Sequence, residues 1–235
     1  MNILFRILIL LFIVFPVQII GQDSIQSKIT LKEIKLDAIR IKTLKRTIPF
    51  AISHRKFLAQ QLSLSQNSLQ DYLTAVPGLY AQNTQNFAQD LRLSIRGFGA
   101  RSSFGIRGIQ LIVDGIPETT PDGQGQLDNL PLGLIQSITV LRGPASSFYG
   151  NASGGVVKIN TLDNFKDNFV RFRAQGGRFN SRNLSAIVGL KKNRTKAIFF
   201  QNQSESDGYR DHSKYKQQVF NARVWHEISD QSQIK

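Results

Sequence analysis

The last part of the chain alternates between apolar and polar residues with the period of two that β-strands impose. Apolar rows at residues 170–174, 184–190 and 220–224 place hydrophobic side chains at every second position, and turn-prone polar stretches separate them. Segments of about ten residues with this alternation are typical of transmembrane β-barrel strands, which face lipid on one side and a polar lumen on the other. A soluble antiparallel sheet packed on one face gives the same pattern. Antiparallel strands are therefore predicted from residue 168 onward, with both environments left open.

An apolar run near the N-terminus predicts export. Arg6 precedes the run Ile7–Phe15, and the small residue Gly21 lies ahead of polar residues. This is the build of a secretory signal peptide, and the run is too short for a spanning helix, which needs about 20 apolar residues. We predict a signal peptide at residues 1–21, with an N-terminal membrane anchor as the alternative.

Composition excludes several kinds of site. Thirty Lys and Arg against sixteen Asp and Glu give a formal charge of +14, but the basic residues are scattered along the chain and form no single stripe, which argues against a nucleic-acid partner. The absence of Cys removes disulfides, thiolate nucleophiles and Cys-based zinc sites. The three His residues lie far apart in the sequence. We predict neither a metal site nor a cofactor.

The residue pattern in the middle of the chain predicts a small α+β domain. Asn67 or Ser68 is placed to cap a helix that ends at Pro77–Gly78. Its apolar positions, at helical spacing, are Leu69, Tyr72, Leu73 and Val76. Short strands are predicted by alternation, each followed by a turn or a glycine, around residues 91–95, 109–113, 138–141 and 156–161. Short strands with interspersed helical turns describe a small mixed sheet that ends near Asn160.

Three stretches of this domain resemble a known family. They are "LQDYLTAVPGLYAQ" (Leu69 to Gln82), "LSIRGFGARSSFGIRGIQLIVDGIP" (Leu93 to Pro117) and "ITVLRGPASSFYGNASGGVVKINT" (Ile138 to Thr161). Their order and spacing are similar to the plug domain of TonB-dependent outer-membrane receptors, and the resemblance covers about Leu31 to Thr161. It implies an α+β plug followed by the first antiparallel strands of an incomplete transmembrane β-barrel.

The resemblance also sets the expected domain boundaries, namely a signal peptide at 1–21, an N-terminal segment at 22–46, a plug at 47–161 and the first barrel strands at 168–235. Barrels of this kind need about eight strands at the least. Open strand edges in a bilayer leave backbone groups without partners, at several kcal/mol each. We therefore expect the chain to be a fragment or a truncated gene product.

Two arginines and several glycines are predicted to shape the plug. Arg96 and Arg142 each precede a glycine at a strand end, and the resemblance implies that they face the barrel wall and lock the plug. A solvated or purely internal plug contact is the alternative for both. Backbone freedom for tight turns and close packing is expected at Gly97, Gly115, Gly143, Gly150, Gly154 and Gly155.

Two polar loops are candidates for ligand binding. The loop from Pro117 to Leu130 combines Pro, Gly and short polar side chains, which suits capture of a ligand on a rigid scaffold. It is similar to the outward-facing plug apex of the subgroup that includes ferric citrate receptors, and its basic neighbours would attract an anionic chelate. Plain surface turns are the alternative. The predicted ligand-binding residues are Arg101, Ser102, Ser103, Arg107, Gln124 and Gln126.

A contact with the energy-coupling protein TonB is expected near the mature N-terminus. The resemblance implies a short extended segment that adds as a strand to a TonB sheet, a mode in which main-chain hydrogen bonds supply much of the affinity. A plain first plug strand explains the same residues. The predicted TonB-interacting residues are Glu33, Ile34, Lys35, Leu36, Asp37 and Ala38.

These features predict an outer-membrane receptor that takes up a ligand, most simply a ferric chelate such as a siderophore or ferric citrate. Its partners would be TonB, outer-membrane lipid and that chelate. No covalent chemistry is expected, because a hydrolase using Ser102 or Ser153 would lack a nucleophile elbow and an interpretable His. A truncated plug-like binding or adhesion module without transport is the other alternative, and the sequence leaves the ligand open.

Overall fold

A computed structural model gives the fold of the chain. All the residues it describes lie in the unit Ile34–Lys235, so the predicted signal peptide falls outside the described part. No helix in the described part is long and apolar enough to cross a membrane. The described residues are 35–36, 43–44, 51–57, 64, 66–74, 76–82, 91–102, 105–127, 129–229 and 232–234.

The described part of the chain is built mainly of strands. Its two short α-helices are α1 (Gln70–Leu73) and α2 (Ser146–Tyr149), and a 3₁₀ turn covers Leu132–Leu134. The strands are β1 (Lys35–Leu36), β2 (Thr43–Leu44), β3 (Ala51–Lys56), β4 (Leu79–Gln82), β5 (Arg92–Ile95), β6 (Ile106–Arg107), β7 (Ile109–Val113), β8 (Ile116–Pro117), β9 (Gln124–Gly125), β10 (Ile135–Arg142), β11 (Gly155–Thr161), β12 (Phe169–Gly177), β13 (Ser181–Lys192), β14 (Thr195–Ser206), β15 (Tyr215–Ser229) and β16 (Ser232–Ile234).

Residues 51–161, which we call the mixed domain, contain a five-stranded sheet in the order β3-β10-β11-β7-β8. β10 runs antiparallel to both β3 and β11, whereas β11 runs parallel to β7. Two further pairs, β4-β5 and β6-β9, lie beside it. The prediction of a small mixed sheet with short helices is confirmed.

The main core of the mixed domain lies between its sheet, α1 and the β4-β5 pair. Burial of each large aliphatic side chain contributes about 1.5 to 3 kcal/mol to the stability of the fold. A second cluster, around Leu141 and Val156, covers the other face of the sheet. The central strands are therefore apolar on both faces. Fully buried members of the main core include Leu73, Leu93, Ile95, Ile109, Leu111 and Ile138.

Helix α1 is shorter than its apolar spacing predicts. The N-cap residue is Leu69, which makes no side-chain capping bond, and neither Asn67 nor Ser68 occupies that position. Ser68, one residue earlier, accepts a hydrogen bond at Oγ from the Gln70 amide at 3.1 Å. The helix ends at Leu73, and the Val76 amide donates to Leu73 O at 2.9 Å in a separate turn. Pro77 keeps Val76 out of helical backbone angles, so the helix could not have continued through Val76.

Strands β12 to β16, which we call the wall sheet, follow one another as antiparallel neighbours in sequence order. The three predicted rows lie in β12, β13 and β15, and the prediction of antiparallel strands after the mixed domain is confirmed. The sequence pattern does not predict strand β14 (Thr195–Ser206). Its apolar residues 197–200 are contiguous, so the period of two cannot be seen in the sequence, although Ile198 is buried and Phe199 is exposed.

The two faces of the wall sheet differ. The face turned away from the mixed domain carries exposed apolar side chains, with Val170 at 75% and Phe220 at 72% exposure. The opposite face was predicted to be polar, which is wrong for one stretch, because Ile187, Phe200 and Trp225 form a buried cluster there with Leu134 of the mixed domain. The reason is physical: the mixed domain occupies this face, so these positions pack against protein.

Candidate functional site

Asp114 organises the end of the mixed domain that meets the wall sheet. It lies in the turn between β7 and β8, in the left-handed region at φ 50°, a conformation that Asp tolerates better than most residues. Its amide donates to Ile159 O at 2.9 Å. Its carboxylate accepts hydrogen bonds from the Thr161 amide at 2.7 Å and from the Thr161 hydroxyl at 2.6 Å. The turn is thereby fixed to the end of β11.

An arginine of the wall sheet completes this arrangement. Arg223 of β15 donates from Nη1 to Asp114 Oδ2 at 2.5 Å and also contacts the Thr161 hydroxyl, while its Nε donates to Asn221 Oδ1 at 3.0 Å. The side chains of Arg223 and Asp114 are only 21% and 22% exposed. The ion pair thus joins the mixed domain to the wall sheet. The resemblance implies arginines of the plug that face the wall, whereas in this pair the wall sheet supplies the arginine and the mixed domain supplies the carboxylate.

A second set of polar contacts joins β12, β13 and β14 to the segment before α1. Arg173 donates to the carbonyl of Leu64. Asn183 Nδ2 donates to Asn67 Oδ1 at 2.6 Å, and Asn202 Nδ2 donates to Asn183 Oδ1 at 2.8 Å. The wall-sheet side chains in these contacts lie at the polar positions that alternate with the apolar rows. Those polar positions were the sequence signal by which these residues and Arg223 could have been found.

The two arginines predicted to face the wall both lie beside the turn at Pro77–Gly78. Arg142 Nη1 donates to the carbonyl of Pro77, and Arg142 Nε is buried without a hydrogen-bond partner in the described part of the chain. The Arg96 amide is 3.4 Å from Gly78 O, at a φ of 51°. The contacts described for Arg142 are internal to the mixed domain, and a wall contact for either residue stays a prediction.

The predicted ligand-binding loops approach each other. β6 and β9 pair residue by residue, with Arg107 opposite Gln124, and Arg107 Nη2 donates to Gln124 Oε1 at 3.2 Å. Arg107 also lies 3.9 Å from Asp122 Oδ2, with both side chains more than half exposed. The Thr120 hydroxyl and the Gln124 amide hold the pKa of Asp122 below its usual range, with Arg107 adding to this. The result is an exposed polar surface with a fixed carboxylate.

The other members of the predicted ligand set are distributed differently. Arg101 is exposed on the neighbouring loop, and Ser102 Oγ donates to Gly105 O at 2.9 Å. Gln126 lines the cavity described below. Ser103 lies outside the described residues.

Two of the predicted structural glycines allow close approaches between strands. A Cβ at Gly155 would lie 2.1 Å from Leu141 O, and its φ is 143°, so only glycine fits without strain. A Cβ at Gly154 would lie 2.5 Å from the Phe98 Cβ. The remaining four, all at positive φ, are Gly97, Gly115, Gly143 and Gly150.

A cavity of about 660 Å³ lies between the mixed domain and β15. Asp114 and Arg223 both line it, so the ion pair forms part of its boundary. Its other lining residues include Ile116, Glu118, Gln126, Leu130, Asn221 and Trp225. In the described residues no group of three His, Cys, Asp or Glu side chains is arranged to hold a metal ion.

Two of the predicted TonB-interacting residues fall in the described part of the chain. Lys35 and Leu36 form β1, which pairs antiparallel with Thr43–Leu44. The other four lie outside the described residues. The backbone at Lys35–Leu36 is thus extended, as strand addition requires.

Comparison with known proteins gives the family of the mixed domain. A family model described as the TonB-dependent Receptor Plug Domain matches residues 45–156. Vitamin B12 transporter BtuB of Vibrio vulnificus is 28% identical over 95 residues, which cover 40% of this chain and 15% of that protein.

Solved structures share the arrangement of mixed domain and wall sheet. The siderophore receptor PirA from Acinetobacter baumannii matches with a TM-score of 0.58 at 21% identity, over 77% of this chain and 30% of that one. The pyoverdine outer membrane receptor FpvA from Pseudomonas aeruginosa PAO1, bound to pyoverdine, matches with a TM-score of 0.62 at 14% identity, over 83% and 28% of the two chains. The chain therefore spans less than a third of these proteins, and at these identities the likeness is one of fold.

Proposed function

The chain carries the plug domain of a TonB-dependent receptor, and on this premise we propose that the protein is an outer-membrane transporter that takes up a ligand with energy passed through TonB. The observation that carries the proposal is the seating of the mixed domain against one face of an antiparallel sheet whose other face is apolar and exposed. Soluble proteins rarely expose a large apolar face to water, whereas in a membrane lipid would cover it. The mixed domain is then the plug, and the wall sheet belongs to a barrel.

The proposed ligand is a ferric chelate. Arg107 and Gln124 present charge and hydrogen-bonding groups on an exposed surface, and Arg101 lies on the adjoining loop. Guanidinium groups on a rigid scaffold suit an anionic chelate. The matched proteins are named for siderophores and for vitamin B12, which supports a metal chelate as the class and leaves the ferric citrate subgroup as a prediction.

Coupling to TonB is proposed to use residues 33–38. β-Augmentation relies on main-chain hydrogen bonds from an extended segment, and Lys35–Leu36 has that conformation. In this structure the strand is paired within the chain to Thr43–Leu44. TonB would therefore have to compete with that pairing.

An enzymatic role has less support. The matched relatives are named as transporters and receptors. His54 Nδ1 lies 2.8 Å from the Thr139 hydroxyl, and His226 Nδ1 lies 2.9 Å from the Thr195 hydroxyl. Ser153 Oγ donates to Gly108 O at 3.4 Å. Ser153 is thus paired with a carbonyl oxygen, whereas the nucleophile of a serine hydrolase is paired with a base.

Growth with a single ferric chelate as the iron source tests the proposal. Leu36→Pro removes a main-chain donor and fixes φ, so it should block strand addition and abolish growth. Leu36→Ala changes the side chain and keeps the backbone donor, so it should grow like the parent. Normal growth of the proline variant would contradict TonB coupling through this segment, and recovery of the protein from the periplasm would favour the binding or adhesion module instead.

A further inference from the structure

Charged side chains bound the exposed apolar face of the wall sheet at two levels. Successive side chains of a strand alternate between its faces, so in β13 the even-numbered positions from Arg182 through Leu184 and Leu190 to Lys192 share the face that carries Val170 of β12. Leu184 and Leu190 are 46% and 47% exposed. The apolar stretch of this face is therefore bounded by Arg182 at one end of β13 and by Lys192 at the other.

The distance between the two levels matches the apolar band of an outer-membrane barrel. Arg182 and Lys192 are ten residues apart in β13, which is about 33 Å along a strand at about 3.3 Å per residue. At a strand tilt of about 40° the two residues are about 25 Å apart across the bilayer, and apolar bands of such barrels have this height. Arg182 and Lys192 thus lie at the two headgroup levels.

At the level of Arg182, cations are matched by carboxylates. Glu205 of β14 lies 4.0 Å from Arg182 and is opposite Lys216 of β15 in the strand register. One residue pair further along, Lys214 lies 3.2 Å from Asp207. This end of the exposed face therefore carries both signs of charge.

At the level of Lys192, cations lack such partners. In register with Lys192 lie a threonine of β14 and His226 of β15. Arg194 extends from the adjacent turn onto β15, where its Nη1 is 3.5 Å from Ile228 O. Glu227 lies on the other face of β15 and pairs there with a lysine of β14. Within the described part of the chain, neither Lys192 nor Arg194 has a carboxylate within 4.0 Å.

We propose that Lys192 and Arg194 bind the phosphate of an anionic glycerophospholipid in the bilayer leaflet that faces the periplasm. The inference rests on the proposed function, because it requires the apolar face of the wall sheet to lie in a membrane. The connections indicate the leaflet. Asn193 and Arg194 form a two-residue turn at this end, whereas residues 207–214 join β14 to β15 at the other. Outer-membrane barrels have short periplasmic turns and longer outer loops.

The chemistry of the two side chains suits this ligand. A lysine at the edge of an apolar surface lays its alkyl chain along that surface and keeps its ammonium group among the headgroups. The arginine guanidinium donates two parallel N–H groups to phosphate oxygens. A zwitterionic headgroup carries its own ammonium group, so its net attraction to the two cations is weaker. The site should therefore prefer phosphatidylglycerol to phosphatidylcholine.

Native mass spectrometry of the full-length receptor tests this preference. The receptor in detergent is incubated with equal amounts of phosphatidylglycerol and phosphatidylcholine, and the ratio of the two lipids retained is measured. Each Lys or Arg near a bilayer surface favours anionic lipid by about fivefold. We expect the ratio of phosphatidylglycerol to phosphatidylcholine to fall about fivefold or more in the double variant Lys192→Gln/Arg194→Gln.

The matched control is Lys191→Gln/Lys216→Gln, which also removes two positive charges. Lys191 is next to Lys192, but the register places it on the opposite face with Lys196 and the buried Trp225. Lys216 lies at the other level, opposite Glu205. This control should keep the parent ratio. Heat-dependent gel mobility verifies that each variant contains a folded barrel.

An unchanged ratio in the folded Lys192→Gln/Arg194→Gln variant would overturn the proposal. An equal fall in the control would also overturn it, because net charge would then set the preference instead of this site. Neither measurement needs a transported ligand or TonB, so a receptor that imports iron normally but retains the two lipids equally refutes the lipid site alone. A parent protein that does not fractionate with the membrane would instead refute the proposed function.

Discussion

Asn183 of the wall sheet donates its side-chain amide to Asn67 of the mixed domain at 2.6 Å, while accepting from Asn202 at 2.8 Å. Asn183 and Asn202 are almost fully buried. A buried amide is stabilising only when its donors and acceptors are paired. Asn183 therefore links two strands of the wall to the segment that precedes helix α1.

Replacing Asn183 by Leu should destabilise the receptor. The Asn202 amide loses its acceptor in a buried site, at a cost of about 1 to 3 kcal/mol. Urea unfolding in detergent, followed by gel mobility, would show a lower unfolding midpoint. Gln201→Leu, on the exposed face of β14, is the control and should unfold like the parent. An unchanged midpoint for Asn183→Leu would mean that these contacts contribute nothing net.

How much of the fold can be predicted from the sequence depends on how local each interaction is. Strands β5, β7, β10 and β11 were predictable because alternation and glycine turns are encoded within a few neighbouring residues. Strand β3 (Ala51–Lys56) was not predicted, because it is a polar edge strand stabilised by main-chain pairing with β10.

The same contrast holds for the candidate site. From the sequence, Arg107 and Gln124 are only ligand-binding candidates on two polar loops, and their mutual contact follows from the pairing of β6 with β9. The pairing of Arg223 with Asp114 depends on the register of β15 and on the seating of the mixed domain against the wall, and neither can be derived from residues 109 positions apart. The predicted roles of Arg96 and Arg142 came from the resemblance alone.

Gly155→Ala should prevent normal packing of the mixed domain. A methyl group would lie 2.1 Å from Leu141 O at a φ of 143°, so we expect a loss of about 2 kcal/mol or more. Limited proteolysis of the receptor in outer-membrane preparations would detect a loosened plug. Gly176→Ala is the control, because nothing lies within 4 Å of its added Cβ. Equal protease resistance in the two variants would show that the strands shift to admit the methyl group.

The turn between β12 and β13 contains a residue poorly suited to its backbone. Phe179 and Asn180 have φ angles of 57° and 53°, and the Ser181 amide donates to Arg178 O at 3.1 Å, which is the pattern of a type I′ turn. Phe179→Asn should be more stable than Phe179→Ala by about 1 kcal/mol, because both lose the ring and only Asn favours positive φ. Thermal unfolding in detergent compares them, and equal midpoints would show that the backbone is unstrained there.

The loop around Asp122 should loosen only in acid. The Thr120 hydroxyl, the Gln124 amide and Arg107 hold the pKa of Asp122 below its usual range. Since the folded pKa is depressed, the stabilisation is present above the unfolded value of about 3.9 and is lost as the pH falls through the folded pKa. Hydrogen exchange of residues 117–127, corrected for the intrinsic rate, should be constant from about pH 7 to 5 and rise below about pH 4. Asp122→Asn should raise it at neutral pH and remove the acid transition, and a transition that persists in this variant would assign it to another carboxylate.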